Sequence, residues 1–123
     1  IGENNQLNGK VKSINGETCV VETDTGENIK ALKINVRNVG DNSLISLRPE
    51  RVYINSKDKF DNNFDAKVKE LIYLGDHIRT RLEICGNDQF IVKVPNSHMG
   101  LKLSEGNSVK LSWKTEDSRA LEA

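Results

Sequence analysis

An all-β fold built from two related halves is the class this sequence predicts, and three observations carry it. Turn signals recur at short intervals: Asn15-Gly16, Asp24-Thr25-Gly26, Gly40-Asp41-Asn42, Gly86-Asn87-Asp88 and Glu105-Gly106-Asn107. The runs between them alternate in polarity, the period of a strand with one buried face. The third observation is a repeat. Gly40-Asp41-Asn42-Ser43-Leu44-Ile45-Ser46-Leu47-Arg48-Pro49-Glu50 can be laid without a gap on Gly106-Asn107-Ser108-Val109-Lys110-Leu111-Ser112-Trp113-Lys114-Thr115-Glu116. Each half also opens alike, Gly9-Lys10-Val11-Lys12 against Ala66-Lys67-Val68-Lys69. Duplicated β units that close against each other produce this kind of similarity, as a barrel or a sandwich.

In chain order, strands are expected over residues 18–23, 29–34, 43–47 and 52–54, then over 79–84, 90–94 and 109–113. Residues 55–64 are polar with two isolated phenylalanines, Phe60 and Phe64, and divide the chain into halves at 7–54 and 65–121. In the second half Ile78, Thr80, Leu82 and Ile84 share one face, and Phe90, Val92 and Val94 another. The expected core is Val11, Val20, Ile45, Val68, Leu82, Ile84, Val92, Val94 and Leu111. Trp113, the only tryptophan, belongs there too, with its indole N–H seeking an acceptor. Leu47 and Trp113 are expected at equivalent positions. No long amphipathic helix is present.

Charge and composition exclude several functions. Lysine plus arginine and aspartate plus glutamate both number 18, so the net charge is zero. A nucleic-acid binder draws much of its affinity from neutralising phosphates and usually has a basic excess. Lys67, Lys69, Arg79 and Arg81 offer at most one basic strip, and aromatic residues are scarce. No stretch approaches the ~20 apolar residues of a membrane helix. Cys19 and Cys85 sit in alternating runs and read as buried thiols rather than a disulfide framework.

No catalytic constellation emerges. The phosphate-cradling pattern G-x-x-x-x-G-K-[ST] is missing, so this segment is expected neither to bind nor to hydrolyse ATP. His77 and His98 lack metal-ligand spacing with each other or with the cysteines. Asp58, Asp61 and Asp65 lack the glycine a calcium loop needs and read as a solvated linker. Ser97 adjoins His98, but neighbours in extended chain point to opposite faces. The candidate interface or regulatory residues lie in bends. At Arg48-Pro49-Glu50 the proline fixes φ, lacks an amide donor and redirects the chain. Gly75-Asp76 marks a tight turn with a local acceptor. Asn96, Ser97 and His98 lie in the connection 94–100, where a rigid scaffold often carries function.

Four segments in order carry a family resemblance: Ile1-Gly2-Glu3-Asn4-Asn5, Ser46-Leu47-Arg48-Pro49-Glu50, Tyr73-Leu74-Gly75-Asp76 and Leu111-Ser112-Trp113-Lys114-Thr115-Glu116-Asp117-Ser118-Arg119-Ala120-Leu121. Together they resemble the transport-associated OB (TOBE) domain that ends the ATP-binding subunit of bacterial ABC importers, most closely those importing spermidine and putrescine. Thr115 departs from the proline common in the closing motif.

The resemblance implies two OB-like β-barrel units, with residues 1–6 as the end of a linker from an ATPase domain that would hold ATP and magnesium. It implies an accessory, non-enzymatic role at the cytoplasmic face of the membrane. There the domain supports pairing of two ATPase subunits, so its partners are a second copy and, through the parent protein, the permease subunits. Neither nucleic acid nor membrane insertion is expected. The alternative is an OB-type module binding a small oxyanion or single-stranded nucleic acid.

Overall fold

The computed structural model describes residues 3–96 and 102–123. Strand accounts for 61% and helix for 5% of it, so the all-β expectation holds. The chain runs β1 (Asn5–Asn15), β2 (Thr18–Thr23), β3 (Asn28–Lys33), β4 (Asn42–Leu47), β5 (Tyr53–Ile54), β6 (Asn62–Tyr73), β7 (His77–Ile84), β8 (Asn87–Pro95), β9 (Ser108–Trp113) and β10 (Ser118–Glu122). Single 3₁₀ turns at Pro49–Arg51 and Thr115–Asp117 follow β4 and β9.

These strands form two units. One is a closed barrel in the order β1-β2-β3-β10-β4; the other is a five-stranded sheet in the order β5-β9-β6-β7-β8. Each unit borrows its last strand from the other half of the chain. β5 pairs with β9, Tyr53 opposite Ser112, while β10 pairs with β4, Ser118 opposite Leu47. The exchange begins where each preceding strand ends. Pro49 sits at the start of its 3₁₀ turn, where a missing N–H costs nothing. Arg51 N–H closes the turn on the Arg48 carbonyl at 3.0 Å. The second turn closes likewise without a proline, Asp117 N–H to the Lys114 carbonyl at 3.1 Å.

The repeat read from the sequence is a structural repeat. Asn5 stands opposite Leu47 in one unit as Asn62 stands opposite Trp113 in the other. Both long first strands carry a bulge, between Val11 and Ser13 and between Val68 and Glu70. At each bulge the valine exchanges hydrogen bonds with a glycine turn. Gly40 N–H donates to the Val11 carbonyl and Gly106 N–H to the Val68 carbonyl, both at 2.7 Å. Gly40 (φ 94°) and Gly106 (φ 87°) occupy the left-handed region that favours glycine. Gly9 is required for another reason: a Cβ there would lie 2.3 Å from the Glu22 carbonyl oxygen.

The core matches expectation except at Val20. Val11, Ile45, Val68, Leu82, Ile84, Val92, Val94 and Leu111 are buried. Val20 is half-buried, because β2 turns Cys19, Val21 and Thr23 inward and Val20 outward. Trp113 is fully buried between Phe64 and Phe90, ring centroids 5.1 and 6.1 Å away. Its indole N–H finds no acceptor among the described residues, contrary to expectation, because its partners there are rings. The strands β1, β6 and β10 lie outside the runs expected as strands. β1 places asparagine and glycine among its inward residues and carries few β-branched side chains, and the segment Ser118–Glu122 has no β-branched residue.

Candidate functional site

Two asparagines join the units. Asn5 is buried at the start of β1 and reaches the edge of β8 in the other unit. Its Nδ2 donates to the Ile91 carbonyl and its Oδ1 accepts the Ile91 N–H, both at 2.7 Å. Asn62, at the start of β6, grips β3 in the same way. Its Nδ2 donates to the Lys30 carbonyl at 2.9 Å and its Oδ1 accepts the Lys30 N–H at 2.8 Å. A side-chain amide here replaces a strand neighbour, satisfying backbone groups that would otherwise be orphaned at a packed edge. Neither asparagine stands out in the sequence, since nothing local marks them as buried.

The second unit leaves a seam between its edge strands. A cavity of about 520 Å³ opens there, with Val52, Tyr53 and Ile54 on one wall and Lys93, Val94 and Pro95 on the other. Tyr53 is stacked on Phe60 with ring centroids 5.0 Å apart. Asn55 closes β5 in the left-handed conformation (φ 52°) and accepts the Lys110 N–H on its Oδ1 at 2.9 Å. Glu50, Ser56 and Asp58 complete the lining. Asp58 and Asp61 are both exposed, and the Asp61 carboxylate accepts the Thr115 hydroxyl at 2.7 Å.

The structure brings several of the expected candidates to one end of this unit. Gly75 and Asp76 form the turn from β6 to β7, closed by Leu74 N–H to the His77 carbonyl at 2.9 Å. Gly75 does not use the left-handed region. Asn96 joins them: its Nδ2 donates to the Gly75 carbonyl at 2.8 Å and its backbone N–H to the Asp76 carbonyl at 3.2 Å. Glu50 of the Arg48-Pro49-Glu50 bend lines the same cavity as Pro95. Arg48 is exposed and Pro49 buried. Ser97 and His98 lie outside the described residues.

Two of the four residues that could form a basic strip, Arg79 and Arg81, are paired with carboxylates. Arg79 is engaged by Glu3, Nη2 to Oε2 at 2.6 Å and Nε to Oε1 at 3.3 Å. Arg81 faces Glu70 at 3.5 Å and donates to the Asp88 carbonyl at 2.8 Å. The hydrogen bond from Arg79 holds the Glu3 carboxyl below the usual range. His77 Nδ1, 2.7 Å from Asp76 Oδ1, does the same for Asp76. Asp41, receiving the Asn38 and Arg37 amides, is lowered by those backbone bonds.

Both cysteines are free thiols, with Cys19 buried and Cys85 only half-buried. Burial raises the Cys19 thiol. Burial, and then the Glu27 carboxylate, push Cys85 up to about 12. Neither is a poised nucleophile, because the thiolate is the reactive form. No cluster of three potential metal ligands occurs among the described residues, and none of their helices is long and apolar enough to cross a membrane.

Comparison with known proteins places these features in a family. The chain is 32% identical over 109 residues to the spermidine/putrescine import ATP-binding protein PotA of Trichodesmium erythraeum, covering 82% of this chain and 29% of that protein. Against PotA of Roseobacter denitrificans it is 30% identical, covering 85% and 29%. Against PotA of Thermotoga maritima it is 29% identical, covering 99% and 35%. The chain thus spans about a third of the length of these relatives. In structure it resembles the cytoplasmic molybdate-binding protein ModG, solved with molybdate bound. The TM-score is 0.78 over 97% of this chain and 96% of that one, at 15% identity. That likeness is one of fold. The family model for the TOBE domain matches residues 45–121, which include three of the four resemblance segments, β5 and all but the last residue of β10. With the paired units and the motifs in order, this shows that the chain belongs to the TOBE domain family.

Proposed function

We propose that this chain is the C-terminal accessory domain of the ATP-binding subunit of a bacterial ABC importer for polyamines, spermidine and putrescine. It is a non-catalytic module, and its role is to support pairing of two ATPase subunits and to regulate them. Its partners are a second copy of itself and, through the parent, the permease subunits at the cytoplasmic face of the membrane. ATP and magnesium belong to the ATPase part of that parent. The observation that carries this reading is similarity over most of the chain to polyamine import ATP-binding proteins. A tethered contact between accessory domains raises the effective concentration of the ATPase halves while they open and close. Zero net charge removes long-range repulsion between copies.

The test is uptake of labelled spermidine, putrescine, ferric iron and molybdate in cells whose parent gene lacks this segment. Polyamine uptake is expected to fall, with uptake of ferric iron and molybdate unaffected. Unchanged polyamine uptake, with an intact ATPase dimer, would refute the role.

A second reading has one observation in its favour, the likeness of fold to a molybdate-binding protein. On it, the chain binds a small oxyanion through backbone amides at its turns. Calorimetric titration with molybdate and sulfate separates the readings, since saturable micromolar binding is expected only on the second.

A further inference from the structure

The two units are equivalent strand for strand, so each pairing in one predicts a pairing in the other. In the barrel, β3 and β10 close the ring in parallel, Leu32 opposite Arg119 and Lys33 opposite Ala120. Superposing Leu47 on Trp113 carries Arg119 and Ala120 onto Tyr53 and Ile54. Superposing the asparagine-gripped residues, Lys30 on Ile91, carries Leu32 and Lys33 onto Lys93 and Val94. All four of these residues, Tyr53, Ile54, Lys93 and Val94, line the 520 Å³ cavity. Among the described residues no pairing joins β5 to β8.

The backbone groups left over can be identified. Asn55 N–H bonds the Lys110 carbonyl at 2.8 Å, so Asn55 and, two residues back, Tyr53 use their backbone toward β9. Ile54 then directs its N–H and carbonyl to the seam. On β8, Ile91 spends both groups on Asn5, away from β7. By the same period Lys93 directs its N–H and carbonyl to the seam. Pro95 ends the strand with no donor to add. The floor is apolar, with Val52, Ile54 and Val94 all below 9% exposure. Glu50 and Asp58 at the rim are exposed and have no ion-pair partner among the described residues.

We propose that this seam is a docking site for an extended segment of another polypeptide, which adds as a strand along β8. An apolar side chain of that segment rests on Val52, Ile54 and Val94, and flanking lysine or arginine residues meet Glu50 and Asp58. Free main-chain edges give such sites affinity, while the pockets between them give specificity. In the barrel the equivalent strands pair directly with each other, so the seam is where this sheet holds strand-pairing groups that its own strands do not use.

The test uses a phage-displayed library of random heptapeptides panned on the whole 123-residue chain. An enriched peptide is then titrated into the ¹⁵N-labelled chain. The expected selection has an apolar centre flanked by basic residues, with amide shifts confined to residues 52–56 and 91–95. N-methylating the central peptide amides, which deletes the strand donors, is expected to weaken binding at least about tenfold. The surface double variant Glu50→Lys/Asp58→Lys keeps the fold and is expected to weaken it by a similar factor at low salt. No enrichment, shifts outside the seam, or affinity indifferent to N-methylation would overturn the proposal. Indifference would mark the cavity as a small-molecule pocket instead.

Discussion

The two units share strand order, bulges, glycine turns and asparagine grips, yet one closes and the other stays open. The difference lies in their borrowed strands. β10 is five residues long and lies along both β4 and β3. β5 has two residues and must then lead into β6 of its own sheet. Asn55, left-handed and bonded to Lys110, turns the chain out of the strand before it can reach β8. On the opposite side Pro95 withholds a donor. Closure of a small barrel therefore depends here on how far the borrowed strand runs before the chain turns out of it, more than on its apolar pattern.

The largest expected effect probes the equivalent cores. Trp113→Ala is expected to cost about 3–5 kcal/mol and Leu47→Ala about 2–5 kcal/mol in urea unfolding. If the units share one cooperative core, each variant unfolds in a single transition by circular dichroism, coincident with the loss of folded amide signals from both units. Two separated transitions would break the comparison into independent halves.

The grips come next, and they are not equal. Removing Asn5 leaves the Ile91 N–H and carbonyl both without a partner. Removing Asn62 leaves the Lys30 N–H alone, because the Ser118 hydroxyl also donates to the Lys30 carbonyl at 2.7 Å. Asn5→Ala is expected to cost about 3 kcal/mol and Asn62→Ala about 2 kcal/mol, with faster exchange of the Ile91 and Lys30 amides respectively. Equal costs would argue that the serine bond does not compensate.

A smaller effect sharpens the seam itself. In native-state hydrogen exchange, the Ile54 and Lys93 amides are expected to exchange at least about tenfold faster than those paired between β3 and β10, about 1.4 kcal/mol of local stability. Equal protection would mean that the open seam closes in solution.

The smallest expected effect is the pH dependence of the entry to β1. Arg79 depresses the Glu3 carboxyl in the folded state. The stability from this pair is therefore present above the unfolded carboxyl pKa and lost as pH falls through the folded one. With side-chain exposures of 29% for Arg79 and 42% for Glu3, it amounts to under about 1 kcal/mol. Urea midpoints below neutral pH for the wild type and Arg79→Gln should converge in acid. A constant gap would assign Arg79 a packing role instead.

Much of this molecule is written in local chemistry. Alternation in residues 78–84 and 90–94 put Leu82, Ile84, Phe90, Val92 and Val94 inside, because a strand with one buried face repeats every two residues. Even so, Val20 shows how a run such as Cys19-Val20-Val21, apolar on both faces, leaves the inward side open until neighbours choose it. The glycine turns and the proline bend were legible because only certain residues accept those backbone angles. The exchange of β5 and β10 was not, since each pairs with a strand from the other half of the chain and its own residues are silent about the partner. The asparagine grips and the seam stayed hidden for the same reason. Asn5 meets Ile91 86 residues away. A polar side chain declares itself buried only when the tertiary structure delivers a backbone edge for it to satisfy.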